Sequence, residues 1–149
     1  MAVFVLVHGG GHGGWCYQPV AHRLRARGHE VHCPTLTGLG ERAHLLSPAT
    51  GLGTHIADVA AMLEYEGLTQ VILVGHSYGG MVITGVADRA PDRIAQLVFL
   101  DAAIPHDGEA LTDVSPGLLA LAPLNRDVDG VELCLWPDDP AVAAIYGLA

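Results

Sequence analysis

Short apolar runs alternate along the chain with longer segments in which apolar residues recur every three or four positions. Ala2–Val7, Val71–Val74 and Ile94–Leu100 have strand length, β-branched enrichment and flanking turn residues, the pattern of strands buried on both faces of a parallel sheet. A shorter strand is predicted over Glu30–Cys33, closed by Pro34. Between these runs the spacing predicts three helices. Trp15–Arg27 offers Trp15, Val20 and Leu24 to the core and stops at Gly28. His55–Glu66, with Thr54 as N-cap, carries Ile56, Val59, Ala60 and Leu63 on one face and ends before Gly67. Met81–Arg89 ends at Ala90-Pro91, and Thr35–Gly53, rich in turn residues, reads as loop. Strand–helix alternation with right-handed crossovers implies an α/β fold, a parallel sheet with helices on both faces. A strand order of 2-1-3-4 puts the switch point between strands one and three, where ligands bind beyond the carboxyl ends.

Those two strand ends carry the most distinctive residues in the chain. The first strand runs into His8-Gly-Gly-Gly-His-Gly-Gly-Trp15. The third runs into Gly75-His-Ser-Tyr-Gly-Gly80, a G-x-S-x-G motif centred on Ser77. A serine at this position, turning sharply from strand to helix, is lifted above the sheet and set at a helix N-terminus, where free N–H groups favour a developing oxyanion. The glycines after the first strand match the H-G-G-G loop that supplies a second oxyanion N–H, from Gly10, beside that of Tyr78. A phosphate loop is the rival reading, and the sequence has neither G-K-[ST] nor a G-x-G-x-x-G with a downstream acidic partner.

Composition narrows the classes. Half of the 149 residues are hydrophobic and 15% are charged, which suits a packed α/β domain rather than a disordered chain. The net charge of −9 is concentrated late: nine acids against Arg126 alone follow Leu100, and lysine is absent. This argues against nucleic acid or an anionic membrane as partner. Cys16, Cys33 and Cys134 lack metal-type spacing and read as reduced thiols of a cytoplasmic protein. Met1–Val7 has no basic flank and is too short for a signal sequence, and no apolar run reaches membrane-spanning length.

His8-Gly-Gly-Gly-His-Gly-Gly-Trp15, Gly75-His-Ser-Tyr-Gly-Gly-Met81 and Leu97-Val-Phe-Leu-Asp-Ala-Ala-Ile-Pro105 together resemble the α/β-hydrolase superfamily, specifically the methylesterase and hydroxynitrile-lyase group and its bacterial relatives. The resemblance spans residues 1–110 and becomes vague beyond. It implies an α/β-hydrolase fold with residues 1–104 as the core and 105–149 as the start of a cap, incomplete at the C-terminal end. It implies a serine hydrolase acting on small apolar carboxylic esters, with Ser77 as nucleophile and the N–H groups of Gly10 and Tyr78 as oxyanion hole, Gly9 and His8 belonging to the same loop. Lyases of the group tend to carry Thr after the first His and Glu before the serine. Gly9 and His76 resemble the esterase side.

The group's triad runs Ser, acid, His, with the last two on late loops. After Ser77 the sequence offers only His106 as a histidine, so His106 as base with Asp101 as acid is the arrangement to test. His8 and His12 form a rival metal pair, though a loop-fixing His8 bonded to backbone is simpler. His76 reads as a packed spacer, and His22, His29, His32, His44 and His55 as surface or structural positions. The chemistry needs no metal or other cofactor. Three readings stay open: an ester hydrolase, a catalytically incomplete hydrolase-fold fragment or small-ligand binder, and a hydroxynitrile lyase. An uncovered fourth strand predicts self-association along its edge. In the tail, Leu118–Leu121 is apolar enough to pack, and Asp139-Pro140 reads as the cap of a last helix, Ala141–Leu148.

Overall fold

The structure, a computed structural model, describes residues 1–117, 125–128 and 131–134. Four strands, β1 (Val3–Val7), β2 (Glu30–His32), β3 (Val71–Ser77) and β4 (Ile94–Ala102), form one sheet in the order β2-β1-β3-β4, with all three pairings parallel. Three α-helices flank it: α1 (Gln18–Arg25), α2 (Leu52–Tyr65) and α3 (Gly79–Arg89). Alternation along the strands sends side chains into two cores. Val5, Val7, Val71 and Leu73 meet Val59 and Leu63 of α2 and Val82, Ile83 and Val86 of α3. Leu6 and Val74 face the other way, with Val31, against Tyr17 and Ala21. Apolar residues at consecutive strand positions are therefore explained by helices on both faces.

Several boundaries differ from those the sequence predicts. The first helix opens with a 3₁₀ turn, Gly14–Tyr17, before α1. Three residues per turn instead of 3.6 rotate the buried face, so Tyr17 and Ala21 enter the core while Trp15 and Val20 are each 48% exposed. The helix α2 starts at Leu52, capped by the Gly51 backbone rather than by Thr54, whose Oγ1 instead accepts the Gly51 N–H at 3.3 Å. Its other end closes as expected. Gly67 at φ +64° lets Leu68 N–H reach the Leu63 carbonyl at 2.9 Å, the Schellman arrangement. The loop after β2 contains a 3₁₀ segment, Gly40–Leu45, and α3 begins at Gly79, two residues early.

The fourth strand runs on to Ala102 through a bulge. Pairing shifts from His76↔Leu100 to Ser77↔Ala102, which leaves Asp101 as the extra residue at φ +44°. Beyond it lie a four-residue helix, α4 (Leu111–Val114), and an antiparallel hairpin of β5 (Asn125–Val128) and β6 (Val131–Cys134). The hairpin is absent from the sequence reading, although Asp129-Gly130 between the two strands is a strong two-residue hairpin signal. The expected segments Leu118–Leu121 and Ala141–Leu148 lie outside the described residues.

Candidate active site

Ser77 closes β3 at φ +51°, a left-handed conformation that a serine adopts only when its surroundings impose it. Three glycines impose it here. A methyl group on Gly75 would stand 2.5 Å from the Gly79 carbonyl oxygen, one on Gly79 would stand 2.6 Å from the Val7 carbonyl, and one on Gly80 would run into the Ala103 carbonyl. Strand, turn and helix therefore touch backbone to backbone. Ser77 projects into an open cleft of about 410 Å³ that Gly9, Gly10, His12, His76 and Asp101 also line. Leu111, Val114 and Ser115 contribute from the α4 side.

The two N–H groups that the resemblance implies as oxyanion donors, those of Gly10 and Tyr78, belong to peptides whose carbonyls are hydrogen-bonded. Gly10 N–H shares its peptide plane with the Gly9 carbonyl, which accepts from His8 Nδ1 at 2.8 Å. Tyr78 N–H shares its plane with the Ser77 carbonyl, which accepts from Ala103 N–H at 3.0 Å. A trans peptide points N–H and C=O in opposite directions, so each anchor aims and polarises the donor on the far side. The two segments are close: a methyl group on Gly9 would stand 3.0 Å from Ser77 Cβ, and one on Gly10 4.0 Å from Tyr78 Cβ.

His8 is fully buried, and both of its ring nitrogens are engaged. Nδ1 donates to Gly9, and Nε2 accepts Leu36 N–H at 3.1 Å. The ring is therefore neutral and lies behind the loop, and burial holds its pKa below the usual 6.5. Neither nitrogen is left for a metal. His12 Nδ1 donates to the Gly10 carbonyl at 2.9 Å, while its ring stacks on Trp15 at 5.9 Å and meets His76 edge-on at 6.4 Å. The pKa of His76 is lowered, first by burial and then by His12, against an opposing pull from Asp101.

Ser77, Gly9, Gly10 and Asp101 thus share one cleft, with Tyr78 at the start of α3 beside it. His106 is exposed, and its backbone N–H donates to Glu109 Oε2 at 2.7 Å. Among the described residues no hydrogen bond joins His106 to Ser77 or Asp101, nor any base to the Ser77 hydroxyl. His12 and His76, read as a metal candidate and a spacer, are the histidines that reach the cleft. Their aim depends on the turns that carry them, which periodicity does not report. His55, read as scattered, is buried on α2 and contacts Tyr78. Its signal lay in the spacing, since His55 precedes Val59 and Leu63 at four-residue steps on the buried face.

A parallel sheet with helices on both faces, a strained serine between β3 and α3, and a glycine loop beside it define an α/β-hydrolase. The chain belongs to the alpha/beta hydrolase family, whose profile matches residues 4–147. It is 57% identical over 119 residues to a carbendazim-hydrolysing esterase of Nocardioides sp., covering 80% of this chain and 49% of that protein. It is 35% identical over 112 residues to putative methylesterase 13, chloroplastic, of Arabidopsis thaliana, covering 74% of this chain and 25% of that one. Among solved structures, an extracellular α/β-hydrolase from a Paenibacillus species, described as sharing structural and functional homology with tobacco salicylic acid binding protein 2, superposes with a TM-score of 0.73. That pair shares 32% identity, over 81% of this chain and 50% of the other. The chain spans half or less of the length of these relatives. Among the described residues, no helix is long and apolar enough to cross a membrane.

Proposed function

We propose that the cleft hydrolyses small apolar carboxylic esters through an acyl-enzyme on Ser77. The observation that carries this reading is Ser77 at positive φ, facing one cleft with the Gly9–Gly10 peptide. Ser77 Oγ attacks the ester carbonyl, and the Oγ–C bond forms as negative charge gathers on the carbonyl oxygen. The N–H groups of Gly10 and Tyr78 receive that charge. The C–O bond to the alcohol then breaks, and the Oγ proton leaves with the alcohol. Water cleaves the acyl-serine and returns a proton to Oγ, releasing the acid. Leu111 and Val114 supply an apolar wall for the acyl group, in keeping with residues 105–149 as the start of a cap. The names of the relatives, esterases and methylesterases, support the ester class.

Gly9 favours hydrolase over lyase. A threonine there would press its Cβ onto Ser77 Cβ and His76 Nδ1, at 3.0 and 3.1 Å. A second reading, a hydrolase-fold ligand binder, is favoured by the lack of a base bonded to Ser77 among the described residues. Hydrolysis of p-nitrophenyl acetate by the purified chain, beside Ser77→Ala, His12→Ala, His76→Ala and His106→Ala, separates the two. Turnover abolished by Ser77→Ala supports the hydrolase, and the histidine variant that matches it names the base. A folded chain with no Ser77-dependent turnover supports the binder.

A further inference from the structure

Three consecutive residues after β2, Thr35, Leu36 and Thr37, hold both halves of the oxyanion hole. Thr35 Oγ1 accepts Gly14 N–H at 2.8 Å, which pins the far end of the glycine loop. Leu36 N–H donates to His8 Nε2, whose Nδ1 proton goes to the Gly9 carbonyl. The Thr37 carbonyl accepts from His55 Nε2 at 2.9 Å, so His55 carries its proton there. Its bare Nδ1 receives the Tyr78 hydroxyl proton at 2.8 Å. Asp58 locks Thr37 in turn, accepting its N–H at 2.7 Å and its hydroxyl at 2.9 Å.

Each link is short, and the segment they converge on is buried. Thr35 is 6% exposed, Leu36 is fully buried and His55 is 8% exposed. The donor of one half, Gly10 N–H, sits on a peptide held through His8. The donor of the other half, Tyr78 N–H, sits on a residue whose side chain is held through His55. Two donors must stand at matched distances from one oxygen, and an ångström of error costs on the order of 100-fold in rate. A phenylalanine at 78 would fill the same core space, so packing alone leaves the Tyr78 hydroxyl unexplained. Burial pushes that hydroxyl's pKa up to about 12, which keeps it a donor at any working pH.

We propose that His55 is a positioning residue of the oxyanion hole, acting through Tyr78 Oη, and that the Thr35–Thr37 strap ties it to the Gly9–Gly10 peptide. The inference rests on the ester-hydrolase reading for its chemical consequence, while the geometry it asserts is measurable without turnover. Two readouts on the purified chain test it, applied to wild type, Tyr78→Phe, His55→Ala and the double variant. The first is the rate of phosphorylation of Ser77 by diethyl p-nitrophenyl phosphate, followed by p-nitrophenolate release. In that step the Oγ–P bond forms, the P–O bond to the phenolate breaks, and the Oγ proton passes to solvent. The second is the ¹H–¹⁵N amide resonance of Tyr78, recorded with thermal melting to establish folding.

Each single variant is expected to lower the maximal labelling rate about 10-fold, with the half-saturating reagent concentration unchanged within about twofold. The double variant is expected to lose no more than either single one, because the two residues act as a unit. The Tyr78 amide resonance shifts in His55→Ala. Labelling at the wild-type rate in folded Tyr78→Phe, or losses that multiply in the double variant, would overturn the proposal. Wild type that leaves Ser77 unlabelled defeats the hydrolase reading instead. The amide then decides the strap, and a Tyr78 resonance unmoved by His55→Ala rejects it.

Discussion

Ser77 stores strain, and the glycines around it are what make that strain tolerable. A non-glycine residue in the left-handed region costs roughly 1–3 kcal/mol, and Ser77 shares that state with Gln70 and Asp101 among the described residues. Gly75→Ala and Gly80→Ala each drive a methyl group into backbone. Each is expected to destabilise by about 1–3 kcal/mol, read as a lower midpoint in thermal melting. Gly53→Ala on α2 meets nothing within 4 Å and is expected to stabilise by up to about 1 kcal/mol. Equal midpoints for Gly80→Ala and wild type would contradict the close-approach account. His8 gives a pH dependence. Its folded pKa lies below 6.5, so between those two values the unfolded chain binds more protons and stability rises with pH. The melting temperature should therefore be full above pH 6.5 and fall as pH drops below it. His76, shifted the same way, adds to the effect. His8→Asn should melt lower throughout and lose part of that slope, and an unchanged slope would show that His8 does not carry it. At this scale the placing of Ser77, Gly9 and Gly10 in one cleft was legible, because motif spacing encodes backbone geometry. His12 and His76 were not, because where their rings point is decided by turns that spacing does not resolve, whereas His55 had its signal in the four-residue steps to Val59 and Leu63 on the buried face of α2.

Elements were legible where hydrophobic period and length agreed. The runs Val71–Val74 and Ile94–Leu100 became β3 and β4, and the buried face of α2 carries the expected Val59, Ala60 and Leu63. The misreadings have local causes. The 3₁₀ turn at Gly14–Tyr17 changes the residues per turn before α1, and the Asp101 bulge lengthens β4 without altering its apolar pattern. The edge of β4 carries a prediction of its own. Among the described residues it pairs with β3 on one side only, and Leu100 beside it is 50% exposed. Such an edge is a template for pairing with another chain. Sedimentation of the 149-residue chain is expected to show a mass that rises with concentration, and Leu100→Lys to reduce that rise. A monomer across the concentration range would dismiss the edge as a contact.

For the whole molecule, the order β2-β1-β3-β4 brings the two motifs together. It sets the ends of β1 and β3 side by side at the switch point, so the glycine loop and the strained serine, about 70 residues apart in sequence, open into one cleft. That meeting was readable from the chain, as was the family; a proton acceptor for Ser77 was not, and among the described residues no histidine is hydrogen-bonded to its hydroxyl. The claim the account depends on most is that Ser77 is a nucleophile facing two oxyanion donors. Its most direct test is the intact mass of the purified chain after exposure to diethyl p-nitrophenyl phosphate, followed by peptide mapping. The account predicts one diethylphosphoryl group per chain, mapped to Ser77 and absent from Ser77→Ala. An unmodified, folded wild-type chain, or a label that persists in Ser77→Ala, would contradict it.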